Sequence, residues 1–477
     1  MSKVIRITFR MDPVATGTRR STMTDTTVVE RLAVFAAGLT GQELPEAVAQ
    51  RAKACLVHAL VVGAAGSVAE FGRRAERTSV GWPEKPAPTG FARSLLSGNW
   101  HPSEAAAFIN GVHLHARAQE DTHGTFHPGV CVIPAALATG EAEGVDGATV
   151  LAAVVAGYEV GTALSVTMTE LTTPPFRATA VFGPIAAAAT AGRIRGFDAD
   201  TMAHALAIAA SLSGGTAESF GAGTDEWHFQ SGNAAAVGMR AAQLAEAGVT
   251  GSRTAIESPS GFADCFAGRP DAHASVEHLG STWNILDVTF KPYPVCAFNQ
   301  TPAMLAVRLR RAGLRPQDVT AVHLRMNERE ATYPGMPAQQ PFTSTANTLM
   351  SARFAFAAGL VLGDISYATL CDFTNPDILQ TVSKIELLPE PGRRAKTAHA
   401  RVVLSDGSTR IDAIDNSDAL LSWTFDEVVA NAGRLAAEAG WTAAELLTLI
   451  DAVTSIEHAE SVDSLVTAVL ASAAQPA

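Results

Sequence analysis

Four stretches constrain the fold most: VVERLAVFAAGL, PEAVAQRAKACLVHALVVGAAG, GATVLAAVVAGYEVGTALSVTM and ADTMAHALAIAASLSG, which begin at residues 28, 45, 147 and 199. Each repeats apolar residues at three- and four-residue spacing, the period of an α-helix. Several end on glycine, as helix C-caps often do. Some are apolar all round, and such a helix is stable only inside a bundle. Their alanine content lets backbones approach closely. No run is read as the roughly 18 apolar residues of a membrane span. From residue 26 to about 280 the sequence therefore predicts a helical bundle.

The pattern changes near residue 284. WNILDVTF has the β-branched and aromatic content of a strand, and the prolines of KPYPVC break it. An amphipathic helix is expected over 299–313, a strand in DVTAVHLRM and a helix over 346–362. Two further strands follow, VSKIELL and AHARVVLSDGSTRIDAI, the second with a hairpin signal at Asp406-Gly407. Helical text returns over 425–473. The expected architecture is mainly α with an α+β insertion: a helical domain over 24–283 and 416–477, and an α+β lid over 284–415. Residues 1–23, basic and without an apolar core of signal-peptide length, read as a disordered leader, and Met23 could be the true start. At 477 residues, two domains are the default.

Composition excludes some partners. A net charge of −12 argues against nucleic acid or an anionic membrane, since both need clustered Lys and Arg. A pocket for an anionic substrate must then be positive locally, against the overall field. Five cysteines with no CxxC pair suggest reduced thiols and a cytoplasmic location.

Residues 113–129, HLHARAQEDTHGTFHPG, gather four histidines, Glu120 and Asp121. His113 and His115 look like an HxH metal pair, but positions i and i+2 on a helix point roughly 200° apart. They are expected to be packing histidines instead. EDTHGTFHPG differs, because Gly124, Pro128 and Gly129 forbid a regular helix. Glu120, Asp121, His123 and His127 then sit on an irregular connection, where a rigid scaffold commonly carries chemistry. Histidines there can act as acid or base near neutral pH.

AAAFINGVHLHARAQEDTHGTFHPGVCVIPAALATGE resembles the NG-x-x-x-H-x-x-D-x-DD-T…HP signature of the MmgE/PrpD family. QSGNAAAVGMRAAQLAEAGVTGSRTAIESPSGF and FKPYPVC resemble two later blocks of the same family, in the same order. The resemblance implies a helical domain plus a lid, a homodimer through the helical domain, and a small carboxylate substrate handled in the cleft between them. It implies no metal and no cofactor; proton transfer or bond cleavage beside a carboxylate would rest on side chains alone.

Carried over position by position, the resemblance places His127, Lys291, His123 and Asp121 in catalytic roles. It makes Glu120, Thr122, Arg177, Trp227, His228, Gln230, Tyr293, Gln300, Arg353 and Phe354 candidate substrate contacts. The sequence departs from the pattern at several of these: Ala118 stands for an acid, Arg177 and Gln230 for histidines, Trp227 for a lysine, Gln300 for a later histidine and Phe354 for a tyrosine. Ala, Trp, Gln and Phe exchange no protons at neutral pH. The expected pocket is therefore less polar, with Arg177 able to fork a carboxylate. Two alternatives stay open: a catalytically silent member that binds a ligand or partner, and a metal hydrolase built on the histidines.

Overall fold

The structure is a computed structural model that describes residues 26–82, 89–168, 176–268 and 271–473. The leader expected over 1–23 lies outside them. The chain opens on a capping box, in which the Thr27 side chain accepts from Glu30 N–H and the Glu30 carboxylate accepts from Thr27 N–H. Helix Val28–Gly38 follows, and the bundle builds from Glu46–Ala65, Ser103–His115, Gly129–Glu143, Gly147–Met168, Ala178–Ile194, Ala199–Leu212 and Trp227–Glu246.

One expectation is corrected here. Glu46–Ala65 and Gly147–Met168 are long and apolar enough to cross a membrane, but 72% and 89% of their apolar windows lie buried in the bundle. Their surface is spent on neighbouring helices.

Glycine sets the closest helix contact near the site. A Cβ on Gly111 would sit 2.7 Å from Gly232 Cα, and one on Gly232 would run into the Phe108 carbonyl oxygen. Helices Ser103–His115 and Trp227–Glu246 therefore meet backbone to backbone, which places His115 beside Trp227 with ring centroids 5.0 Å apart.

Among the described residues, six strands complete the fold. β1 (Phe91–Arg93) and β2 (Trp100–Pro102) form a small antiparallel pair that the periodicity did not reveal. β3 (Val319–Asn327), β4 (Ile385–Glu390), β5 (Ala398–Leu404) and β6 (Thr409–Ile414) form a sheet in the order β4-β3-β5-β6. The β3–β4 pair is parallel and the others antiparallel. Gly407, at φ +83°, makes the β5–β6 turn where the hairpin was expected.

Two local expectations fail for identifiable reasons. WNILDVTF is not a strand: Asn284–Asp287 form a 3₁₀ turn, because the buried Glu159 carboxylate accepts the N–H groups of Asn284 (3.1 Å) and Ile285 (2.8 Å). The helix expected over 346–362 is two, Thr345–Met350 and Ala352–Leu362. Ser351 divides them, capping the second through Phe354 N–H and donating its own hydroxyl to Ala338 O.

Apolar burial divides into two main cores. One runs from Val28 to Phe290 and resumes over Val428–Val469. The other gathers Tyr293–Ile414 but also takes in Ala118, Ala217, Phe220 and Trp227 from the helical part. The two interlock at that seam.

Candidate active site

Helix Ser103–His115 ends at the seam. Ala118 takes the left-handed φ of +54°, a conformation that costs a non-glycine residue roughly 1 kcal/mol and turns the chain sharply toward Gln119 and Glu120. Thr122 then pairs with Thr289 by two backbone hydrogen bonds of 2.8 Å, and their hydroxyls meet at 2.9 Å. Gln119 Nε2 donates to Pro292 O at 2.7 Å. These bonds bring the histidine-rich connection against FKPYPVC across a long sequence gap.

Glu120 is the hub. Lys291 Nζ lies 2.6 Å from its Oε1 and also donates to Ala118 O at 2.9 Å. His127 Nδ1 approaches Oε1 to 3.1 Å, and His115 Nδ1 approaches Oε2 to 3.0 Å. Burial alone would raise the Glu120 pKa, but Lys291, then His115 and His127, outweigh it and hold the carboxyl well below its ordinary range. The acid is thus a fixed anion.

Arg177 joins from the start of helix Ala178–Ile194. It donates to Trp227 O, to Gln230 Oε1 at 3.3 Å and to His115 Nε2 at 2.5 Å. An arginine can only donate, so His115 Nε2 accepts and its proton sits on Nδ1, facing Glu120. Burial lowers the His115 pKa to about 4, which agrees with a neutral ring. His127 is likewise held well below its ordinary value, by burial and then by Lys291. With both histidines neutral, one carboxylate faces two cations, and the site carries the local positive charge that an anionic ligand needs. Among the described residues no acid forms an ion pair with Arg177.

Beside this cluster lies a cavity of about 450 Å³, within the roughly 300–1,000 Å³ typical of small-molecule sites. His127, Arg177 and Thr125 line it from the helical side, with Phe176 and Phe220. Cys296, Phe298, Glu330, Tyr333 and Arg393 line it from the inserted side.

The expected residues divide clearly. His127, Arg177, Glu120, Lys291, Trp227 and Gln230 come together. Lys291 stands behind Glu120, only 2% exposed, and does not line the cavity. Asp121 faces the bundle, where Tyr158 Oη donates to it at 2.5 Å and Gly129 N at 3.0 Å. Burial raises its pKa to about 6 against those two bonds. His123 closes a tight turn with Phe126, also outside the cavity lining. His228 is stacked between Phe71 and Trp227, at centroid distances of 3.5 and 3.6 Å. Gln300 holds the proline turn through Tyr293 O and Val295 O. Arg353 ties Ile385 O and Pro337 O, and Phe354 packs on Phe342 in the inserted core.

Sequence reading missed His115, although NG-x-x-x-H spacing marks it. It also missed Phe298, Glu330 and Tyr333, which no local signal announces. Ala118 and Trp227, which stand for an acid and a lysine of the family pattern, share one apolar cluster. These two departures cancel in charge.

Residues 30–275 match the family model of the MmgE/PrpD N-terminal domain. Across 81% of this chain, the protein is 27% identical to a human cis-aconitate decarboxylase, covering 83% of that protein. It is 23% identical to one from Aspergillus terreus, covering 84% of it, and 25% identical to one from Mus musculus, covering 82%, each again over 81% of this chain. With the match spanning more than half of its residues, the chain belongs to the MmgE/PrpD family.

Proposed function

We propose that the protein is a lyase of the decarboxylase type, acting on a small organic acid in the cavity between the helical bundle and the inserted domain, which serves as its lid. The observation that carries this reading is the Arg177–His115–Glu120–Lys291/His127 network beside that cavity. The names of the relatives favour loss of CO₂ over dehydration or epimerisation.

Arg177 receives a substrate carboxylate, its fork held by Trp227 O and Gln230. Breaking the bond to a second carboxyl releases CO₂ and leaves the electron pair on the adjacent carbon, where the retained carboxylate and the nearby cations stabilise it. A proton must then reach that carbon, and His127, at the cavity wall, delivers it. In the free protein Lys291 and Arg177 both disfavour a charged His127. A bound anion offsets them and raises its proton affinity, so the histidine becomes a donor only when substrate is present. Glu120 orients both histidines through their Nδ1 edges. His123, Asp121 and the remaining expected contacts act from outside the cavity, through the loop and turn that present His127 and Lys291. A cytoplasmic homodimer belongs to the same reading.

The test is CO₂ release from a panel of small unsaturated acids, cis-aconitate included. His127→Ala is expected to lower turnover about 10²-fold or more. Turnover close to wild type would remove His127 from the mechanism. Acid binding that depends on Arg177 but comes without turnover would instead mark a silent, ligand-binding member.

A further inference from the structure

The cavity is cationic at one end only. Phe220 lies under Arg177, with Cζ 5.6 Å from the ring centre. Tyr333 continues from Phe220 at 6.2 Å, and Phe298 from Tyr333 at 5.4 Å. A continuous aromatic track thus leads from the guanidinium into the inserted domain, with Met350, Ala297 and Cys296 along the same lining. The other charged groups on that side are poorly suited to further carboxylates. Arg393 already pairs with Glu390 at 3.0 Å and Asp415 at 3.5 Å, while Glu330, whose carboxyl accepts the Lys396 N–H, lines the same cavity. Arg329 is exposed at its mouth. A second or third carboxylate placed along the track would be desolvated without a dedicated partner, which is costly. An apolar body there would instead gain burial against three rings.

We infer that the preferred substrate is a carboxylic acid with a ring-sized apolar body, its carboxylate on Arg177 and its body along Phe220, Tyr333 and Phe298. This rests on the lyase reading above and narrows its substrate class.

Calorimetric titration of the full-length protein with phenylsuccinate, succinate and cis-aconitate tests it. Phenylsuccinate and succinate differ only in the ring, which is expected to tighten binding about 10-fold or more, the scale on which apolar pockets discriminate. Phenylsuccinate should also bind more tightly than cis-aconitate. Phe298→Leu should remove most of the ring's advantage over succinate, while Arg177→Met should abolish binding of both. Succinate or cis-aconitate binding as tightly as phenylsuccinate would overturn the apolar-body inference and leave the lyase reading standing, the more so if cis-aconitate loses CO₂. A ring preference untouched by Phe298→Leu would overturn the assigned track. No binding of any acid to wild type, or undiminished binding to a folded Arg177→Met, would sink both readings. Should Arg177→Met fold poorly, the Phe298→Leu comparison decides alone.

Discussion

Glu120, behind the helical wall of the cavity, and Glu330, on the inserted wall, are both buried carboxylates, held in opposite ways. Glu120 has a lysine at 2.6 Å and two imidazoles within 3.1 Å. Both oxygens of Glu330 instead accept one backbone N–H, that of Lys396, at 2.8 and 3.0 Å. Burial therefore wins at Glu330 and raises its pKa to about 7, while charge wins at Glu120 and pulls it far down. One side is wired to keep Glu120 ionised; the other is aromatic, with a carboxyl that titrates near neutrality. The densest charge thus gathers at the seam around Glu120, and three of the cavity's aromatic rings, Phe220, Tyr333 and Phe298, run from it into the insertion.

The largest effect should come from breaking the wired wall. Lys291→Met leaves Glu120 buried without its closest cation. It should cost about 3–5 kcal/mol of stability, as removing one partner of a buried pair does. Turnover should fall roughly 10²–10³-fold, the scale for one preorganised electrostatic group. Adding Glu120→Gln should restore much of the stability, read by denaturant titration, and none of the turnover. A single variant as stable as wild type would show that the pair is not the hub.

A smaller effect separates the walls by pH. Between the ordinary glutamate value of 4.5 and about 7, folded protein keeps a proton on Glu330 that unfolded chain releases. Stability from this group therefore declines as pH rises through that window, by up to about 3 kcal/mol. Glu120 has the reverse sign, since its contribution is present above 4.5 and is lost as pH falls toward its depressed value. Glu330→Gln should thus gain Tm relative to wild type from pH 5 to about 7 and level off above it. A difference constant across that range would contradict the raised pKa.

The smallest change should follow Tyr333→Phe, which keeps the ring on the aromatic track and removes only the hydroxyl. Stability should move by less than about 1 kcal/mol, the scale for an ordinary hydrogen bond. Phenylsuccinate affinity should stay within about 3-fold. A loss of activity comparable to that of His127→Ala would make the inserted wall a chemical participant and erase the contrast.

Much of this was legible in the sequence. Apolar periodicity located the bundle helices and the Asp406-Gly407 turn signal located the hairpin, because those signals are local. WNILDVTF was misread because the carboxylate that takes the Asn284 N–H, Glu159, is 125 residues away. His115 was weighed only against His113, two residues off and pointing elsewhere; its actual partners are Glu120, one short loop on, and Arg177, 62 residues on. The aromatic track combines Phe220 with Phe298 and Tyr333, which meet only once the two cores interlock. Local text carries the elements, and long-range acceptors and cations decide what the elements are for.

The separation of Glu120 from Lys291, 171 residues, has a consequence for how the molecule is made. A ribosome adding about 5–20 residues per second needs roughly 10–30 s to cover that distance. Throughout that interval the nascent bundle has no ammonium for its central carboxylate. The brace on the Lys291 turn comes later still, when Arg434 reaches Pro292 O at 2.8 Å and Glu438 reaches Arg117 at 2.7 Å. The wired site is therefore completed late in synthesis, and a chain stopped before Lys291 would carry the histidines and Glu120 without that carboxylate's closest cation.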